Sequence, residues 1–102
     1  MKFLHFRYVD INDGPDTQTD TVRTKGGKTI AYEAAEGKLK YSIARCADRE
    51  NFCRRTGRLV SSGRFNHGQV FVVENFDPTK QSPIHYLYQN EGAAYYDRKD
   101  QK

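Results

Sequence analysis

Six arginines in one twenty-residue segment are the residues of this chain best suited to chemical recognition. They lie between Arg45 and Arg64, in a segment whose only acidic residues are Asp48 and Glu50. This segment therefore accounts for the whole net charge of +4, and the remainder of the chain is balanced. A focused charge produces a local electrostatic field, whereas a scattered one affects mainly solubility. Because all six residues are Arg rather than Lys, planar two-point contacts with phosphate or carboxylate are favoured.

Helical periodicity separates these arginines from an apolar stripe in the same segment. Asp48 is a good N-cap residue, and after it Phe52, Leu59 and Val60 recur at helical spacing. On a helical wheel the apolar residues occupy about a third of the circumference. The pattern predicts an amphipathic helix whose apolar side packs on a sheet. The predicted partner-binding residues lie on its opposite side and at the ends of the segment: Arg54, Arg55, Arg58, Arg64 and Arg45.

The arginine face has two interpretations at this point. Charged outer faces are the norm for amphipathic helices, so the arginines could serve only to solvate the helix. If the face binds a partner, nucleic-acid phosphates and the carboxylates of an acidic protein surface fit it equally well.

The aromatic residues also have two interpretations. They could stack on bases, but with only 36% hydrophobic residues the chain needs large rings for its core. We expect them in the core, and no RNA-recognition-motif signature is present. The rings in question are Phe6, Tyr8, Tyr32, Phe71, Tyr86 and Tyr88.

Cysteine and histidine spacing does not indicate a metal site. Cys46 and Cys53 lie seven residues apart, and His5, His67 and His85 are scattered. Zinc sites typically begin with two ligands separated by two to four residues. We therefore predict no metal and no cofactor. Cys53 falls on the apolar side of the predicted helix, where a buried and inert thiol is usual.

No other motif supports calcium binding or catalysis. In the acidic segment Asp10–Asp20, the EF-hand positions that require Gly and Glu hold Pro15 and Thr21. We interpret this segment as a flexible acidic arm. Ser61-Ser62 near His67 lacks a nucleophile elbow, and Gly26–Thr29 lacks the first glycine of a P-loop. The chain is therefore predicted not to be an enzyme.

Alternating and helical patterns along the chain predict an α+β fold. We expect an antiparallel sheet of four to five strands with one main helix packed on one face, held by Phe52, Leu59 and Val60 against Leu39, Tyr41 and Ile43. A Leu59→Asp substitution should then unfold the domain. The predicted strands are Lys2–Asp10, Lys28–Ala34, Lys38–Cys46, Gln69–Glu74 (central) and Ile84–Tyr88; Ile11–Gly27 is a loop or hairpin arm, Glu36-Gly37 a turn, and Gly92–Tyr96 a short helix or ordered tail.

Length and composition indicate one domain, residues 1–96, followed by a charged tail, residues 97–102. No apolar run approaches the roughly 20 residues that span a bilayer. The first residues lack the pattern of a signal peptide, and two cysteines are too few for the disulfide framework of a small secreted protein. We therefore expect a cytoplasmic protein with reduced cysteines.

One part of the chain resembles short, mostly uncharacterised bacteriophage proteins. Those proteins are similar in having a hairpin strand, then an Asp/Asn-Phe pair, then Lys/Arg-x-Gly-Arg and a second Gly-Arg before an apolar residue. The likeness covers about residues 28–65. The matching stretches here are Thr29–Tyr32, Tyr41–Cys46, Asn51-Phe52, Arg55–Arg58 and Gly63–Phe65.

The resemblance implies a phage accessory protein that acts in the host cytoplasm. Such proteins commonly bind a host enzyme or a defence complex, so the expected function is host takeover or anti-defence inhibition through the basic helix face. DNA mimicry is disfavoured because a mimic would be strongly acidic. A small nucleic-acid-binding module is the first alternative, and a virion or assembly component is the second.

Overall fold

The computed structural model describes residues 1–7, 9–13, 18–22 and 25–91 of the chain. The described elements confirm the α+β class, with strands β1–β6 and helices α1 and α2. In chain order they are β1 (Lys2–Phe6), β2 (Val9–Asp13), β3 (Gln18–Val22), β4 (Lys25–Ala35), β5 (Lys38–Asn51), α1 (Arg54–Asn66), β6 (Phe71–Val73) and α2 (Pro83–Glu91). The predicted segment Gly92–Tyr96 and the tail 97–102 lie outside the described residues. None of the helices within this described part is long and apolar enough to cross a membrane.

Four of the strands form one antiparallel sheet in the order β1-β4-β5-β6. The β4–β5 hairpin is its centre, and the predicted turn at Glu36-Gly37 is confirmed. Both turn residues have positive φ, 55° and 72°, which glycine adopts without steric cost. Strands β2 and β3 pair separately as a two-stranded sheet. The segment predicted as a loop or a hairpin arm therefore contains part of a hairpin, which begins within the predicted first strand.

One face of the four-stranded sheet carries the hydrophobic core. The register aligns Ile30 with Ile43 and Tyr32 with Tyr41, and alternate residues of a strand point to the same face. Helix α2 and the loop before it cover this face through large side chains, and Leu87 is completely buried. The buried cluster consists of Phe6, Ile30, Tyr32, Leu39, Tyr41, Ile43, Phe76 and Leu87.

The opposite face is built from small residues and is covered by α1. Thr29, Ala31, Ser42 and Ala44 are buried there. The Ser42 hydroxyl donates a 2.6 Å hydrogen bond to the backbone carbonyl of Ser61 in α1. Helices thus cover both faces of the β4–β5 hairpin, and among the described strands the exposed aromatic side chain is that of Phe71 in the edge strand β6.

The face on which α1 packs corrects the predicted helix packing. Leu59 and Val60 do not pack on Leu39, Tyr41 and Ile43 as predicted, because those three residues lie on the α2 face of the sheet. Of the two side chains, 65% of Leu59 and 39% of Val60 is exposed. Instead, α1 approaches the sheet through Gly57 and Ser61. A Cβ atom on Gly57 would lie 2.7 Å from the Cβ of Thr29, a distance that side chains do not tolerate. Small residues on both sides allow this close approach, and a hydrophobic wheel cannot detect them.

The start of α1 also differs from the prediction. Asp48 is not an N-cap, because β5 continues to Asn51, which pairs with Lys25 after an irregularity in the register. The helix begins at Arg54, and Cys53 is its N-cap residue. Pairing with β4 therefore overrides the local capping preference of Asp48.

Of two further strand predictions, one was wrong and the other was right only in part. Residues Ile84–Tyr88 belong to α2, which begins with Pro83 at the first helical position, where the missing N–H costs nothing. The predicted central strand Gln69–Glu74 shrinks to β6, a three-residue strand at the sheet edge. Its apolar residues Phe71 and Val72 are exposed rather than buried.

The end of α2 is attached to the sheet by a polar network. The Lys28 ammonium, buried beneath α2, lies 3.3 Å from the Glu91 carboxylate. The Tyr41 hydroxyl donates a 3.0 Å hydrogen bond to the same carboxylate. Burial lowers the pKa of Lys28, and Glu91 acts in the opposite direction. Burial, together with Glu91, raises the pKa of Tyr41.

Candidate interaction surface on α1

The outer side of α1 presents three arginines to solvent. Arg54, Arg55 and Arg58 are exposed, and none of them is within ion-pair distance of a carboxylate in the described part of the chain. The sequence reinforces this isolation, because no acidic residue occurs from Asn51 through Val73. Among the described residues, no carboxylate pairs with these positive charges of α1. We name the exposed residues Arg54, Arg55, Arg58 and Leu59 the α1 outer face; Arg54 and Arg58 lie on its β1 side, and Arg55 and Leu59 lie on the side away from the sheet.

These arginines do not favour the helix in which they lie. The first turn of α1 contains Arg54 and Arg55 and no acidic residue, and the helix lacks a side-chain cap. Positive charge at a helix N-terminus opposes the helix dipole, by about 0.3–1 kcal/mol for each group. Helix α1 therefore depends on its packing against the sheet. Its first-turn arginines have no explanation in helix stability.

Arg54 and Arg58 face the edge of the sheet formed by β1. The His5 imidazole lies 2.8 Å from the Thr29 hydroxyl and meets the Phe52 ring edge-on at 5.8 Å. Burial lowers the pKa of His5, and the positive charges of Arg54 and Arg58 lower it further. Their effect on His5 places both guanidinium groups on this side of α1.

The structure separates the other two predicted site residues from this group. The Arg64 guanidinium donates a hydrogen bond to the backbone carbonyl of Ile43, at the side of β5 away from β4. Arg45 lies opposite Lys28 in the register, on the face of the sheet away from α1, and its charge acts on Lys28. Both side chains are exposed, but they do not extend the α1 outer face.

Leu59, which the helical wheel assigns to the core, lies instead next to an exposed arginine. Leu59 lies one helical turn after Arg55, so these two side chains share a surface. Most of Leu59 is exposed. The sequence signal that could have revealed this arrangement is the four-residue spacing of Gly57 and Ser61, which marks the side of α1 that packs.

A cavity of about 160 Å³ lies between the start of α1 and the end of the β4–β5 hairpin. Both cysteines line it, together with Phe52 and Thr56. Cys53 is exposed and Cys46 is half-buried, and both are free thiols. The prediction that Cys53 is buried was therefore wrong, because this residue precedes the helix and does not lie on its packed side. Within the described ranges, no three His, Cys, Asp or Glu side chains are grouped as around a metal ion.

Comparisons with known proteins found no match for this chain. No protein-family model, no curated protein and no solved structure matches it. The likeness to phage accessory proteins therefore stays a prediction.

Proposed function

We propose that this chain is a non-enzymatic binding protein whose α1 outer face contacts an acidic, partly apolar surface of a protein partner. The observation that carries the proposal is the exposure of Leu59 one turn after Arg55, on a helix whose three exposed arginines have no carboxylate partner among the described residues. The other side of α1 is occupied by its contacts with the sheet. The helix is thus fixed in place while its outer face is available.

A mixed surface of this kind suits a protein better than a nucleic acid. Protein interfaces combine an apolar centre with arginine, and arginine is enriched among the residues that dominate binding energy. An exposed leucine contributes nothing to phosphate contacts. An acidic partner would associate faster and in a defined orientation, because its charge complements that of the α1 outer face.

The likeness to phage proteins suggests where such a partner would be found. We propose a protein complex of the bacterial host cytoplasm, which the chain would redirect or inhibit during host takeover or evasion of defence. A virion or assembly role is the alternative, and it predicts the chain in purified particles.

The test begins with affinity capture from nuclease-treated bacterial lysate and continues with the purified partner. Calorimetry then compares the wild-type protein with an Arg54→Glu/Arg55→Glu/Arg58→Glu variant. We expect reversal of the three charges to raise the Kd at least about 100-fold, because loss of the residues that dominate binding in an interface has effects of this size. The matched control reverses three exposed charges outside α1: Lys2→Glu, Lys38→Glu and Lys80→Glu. Equal Kd values for the two variants would refute the proposal.

One observation favours the nucleic-acid alternative. Beside Arg54 and Arg58, the Arg7 guanidinium lies 5.4 Å from the centre of the Phe52 ring, and aromatic rings with neighbouring cations are typical of single-strand binding sites. If nucleic acid is the partner, a fluorescent oligonucleotide should bind with an affinity that falls steeply as salt increases. Removal of one phosphate-contacting arginine should then reduce the log–log slope by about one. Absence of binding at low salt would eliminate this alternative.

A further inference from the structure

The two cysteines are brought together by the path of the chain between β5 and α1. Cys46 lies directly opposite Gly27 in the β4–β5 register. The Phe52 ring lies over Gly27, since a Cβ atom there would come within 2.7 Å of the ring. Cys53 follows Phe52 in the chain. The register and the ring together therefore place Cys53 over the end of the sheet that carries Cys46.

Contacts of the Cys46 thiol support the same placement. Its sulfur lies 3.4 Å from the carbonyl oxygen of Glu50 and 3.6 Å from that of Asn51. The end of β5 thus folds back around this sulfur, only two residues before Cys53. Both cysteines line the same cavity of about 160 Å³ at this place.

The two thiols differ in reactivity. Cys53 is exposed and Cys46 is half-buried. Hydrogen bonding from the Thr56 side chain, with a smaller contribution from the charge of Arg55, lowers the pKa of Cys53. An accessible thiolate is the nucleophile in thiol–disulfide exchange. Cys53 should therefore react first, and Cys46 is positioned to resolve the product.

We propose that Cys46 and Cys53 form a reversible intramolecular disulfide that anchors the first turn of α1. This inference goes beyond the proposed binding function and does not depend on it. Its oxidant is a small-molecule disulfide such as oxidised glutathione.

The exchange occurs in two balanced steps. The Cys53 thiolate attacks one sulfur of oxidised glutathione, which forms a mixed disulfide and releases one glutathione thiolate. The Cys46 thiol loses its proton to solvent and attacks the Cys53 sulfur, which releases the second glutathione thiolate. Two cysteine thiols are thereby oxidised while one glutathione disulfide is reduced.

The disulfide would restrain the first turn of α1, which its own sequence stabilises poorly. The first turn has no side-chain cap, and its two arginines oppose the helix dipole. A covalent link from Cys53 to β5 restrains the residue immediately before Arg54. Oxidation would thus order the part of α1 that carries Arg54 and Arg55, and reduction would release it.

The test exposes the full-length protein to oxidised glutathione and traps remaining thiols with N-ethylmaleimide. Intact mass and peptide mapping should show wild-type protein that has lost two hydrogens, with Cys46 linked to Cys53 and no lasting glutathione adduct. A Cys46→Ser variant should instead retain one glutathione on Cys53. A Cys53→Ser variant should react at least about 10-fold more slowly than Cys46→Ser, because an accessible thiolate has been removed.

Hydrogen exchange supplies a second readout on the same samples. In the oxidised wild-type protein the amides of Thr56, Gly57 and Arg58 should exchange more slowly than in the reduced protein. A lasting glutathione adduct on wild-type Cys53 would overturn the proposal. So would protein that stays reduced under conditions that oxidise dithiothreitol, or exchange that is unchanged on oxidation. The wild-type mass pattern decides the question even if Cys46→Ser fails to fold.

Discussion

The two faces of the four-stranded sheet are covered in different ways. On the α2 face, large rings and aliphatic side chains are buried around Leu87. On the α1 face, Gly57 and Ser61 bring the helix backbone close to small residues, while Leu59 points away from the sheet. The chain therefore obtains most of its apolar burial from the α2 face. The other face holds a helix whose large side chains remain available to a partner.

Truncation of the two leucines should show this difference most strongly. Leu87→Ala removes a completely buried side chain, and we expect it to lower the free energy of unfolding by about 2–5 kcal/mol. Leu59→Ala changes an exposed side chain, and its effect should stay within about 0.5 kcal/mol. Urea denaturation followed by circular dichroism measures both. Similar losses for the two variants would refute the contrast between the faces.

The polar network beneath α2 is the next largest contributor on that face. Glu91→Gln removes the carboxylate that offsets burial of the Lys28 charge, and we expect a loss of up to about 3 kcal/mol at neutral pH. Burial already lowers the pKa of Lys28 from its ordinary 10.5, and the substitution lowers it further. The folded state then favours the neutral amine of Lys28, which becomes more populated as pH rises. The loss of unfolding free energy in Glu91→Gln should therefore shrink as pH rises towards 10.5. Urea titrations across this pH range check the prediction, and a loss that does not vary with pH would contradict it.

Two glycines of α1 test the close approach on the other face. Gly57→Ala should destabilise the protein by about 1–3 kcal/mol, because the new Cβ meets the Thr29 side chain. Gly63 is the matched control, since a Cβ there meets nothing within 4 Å. Gly63→Ala should stabilise the helix by up to about 1 kcal/mol through its better helix propensity. Thermal melts of the pair should therefore shift in opposite directions; stabilisation by both would contradict the packing.

Sequence patterns predict the fold class and the central hairpin because these depend on local signals. Alternation around Tyr41 and Ile43 and the turn at Glu36-Gly37 are sufficient for the β4–β5 hairpin. The face on which α1 packs is not predictable by the same rule. Gly57 and Ser61 contribute no hydrophobic signal, and the small residues they contact, such as Ser42, appear polar in the sequence.

The candidate site also combines features that the sequence predicts with features that it does not. Arg54, Arg55 and Arg58 are exposed as predicted, but the helical wheel places them opposite a packed Leu59 and Val60, whereas α1 packs through Gly57 and Ser61, next to Arg54 and Arg58. The helical wheel does not reveal that Arg45 is separate from these arginines. Arg45 lies in β5, on the face of the sheet away from α1. The start of α1 at Arg54 depends on pairing of Asn51 with Lys25, a contact between distant parts of the chain.

Leu59 is exposed on the α1 outer face and does not belong to the core. The most direct test is the free energy of unfolding of Leu59→Asp, with Leu87→Asp as the matched control. We predict that Leu59→Asp unfolds cooperatively within about 0.5 kcal/mol of the wild-type protein, as is usual for surface substitutions. Leu87→Asp should not fold, because it buries a charge in the core. Loss of the folded state in Leu59→Asp would contradict the account.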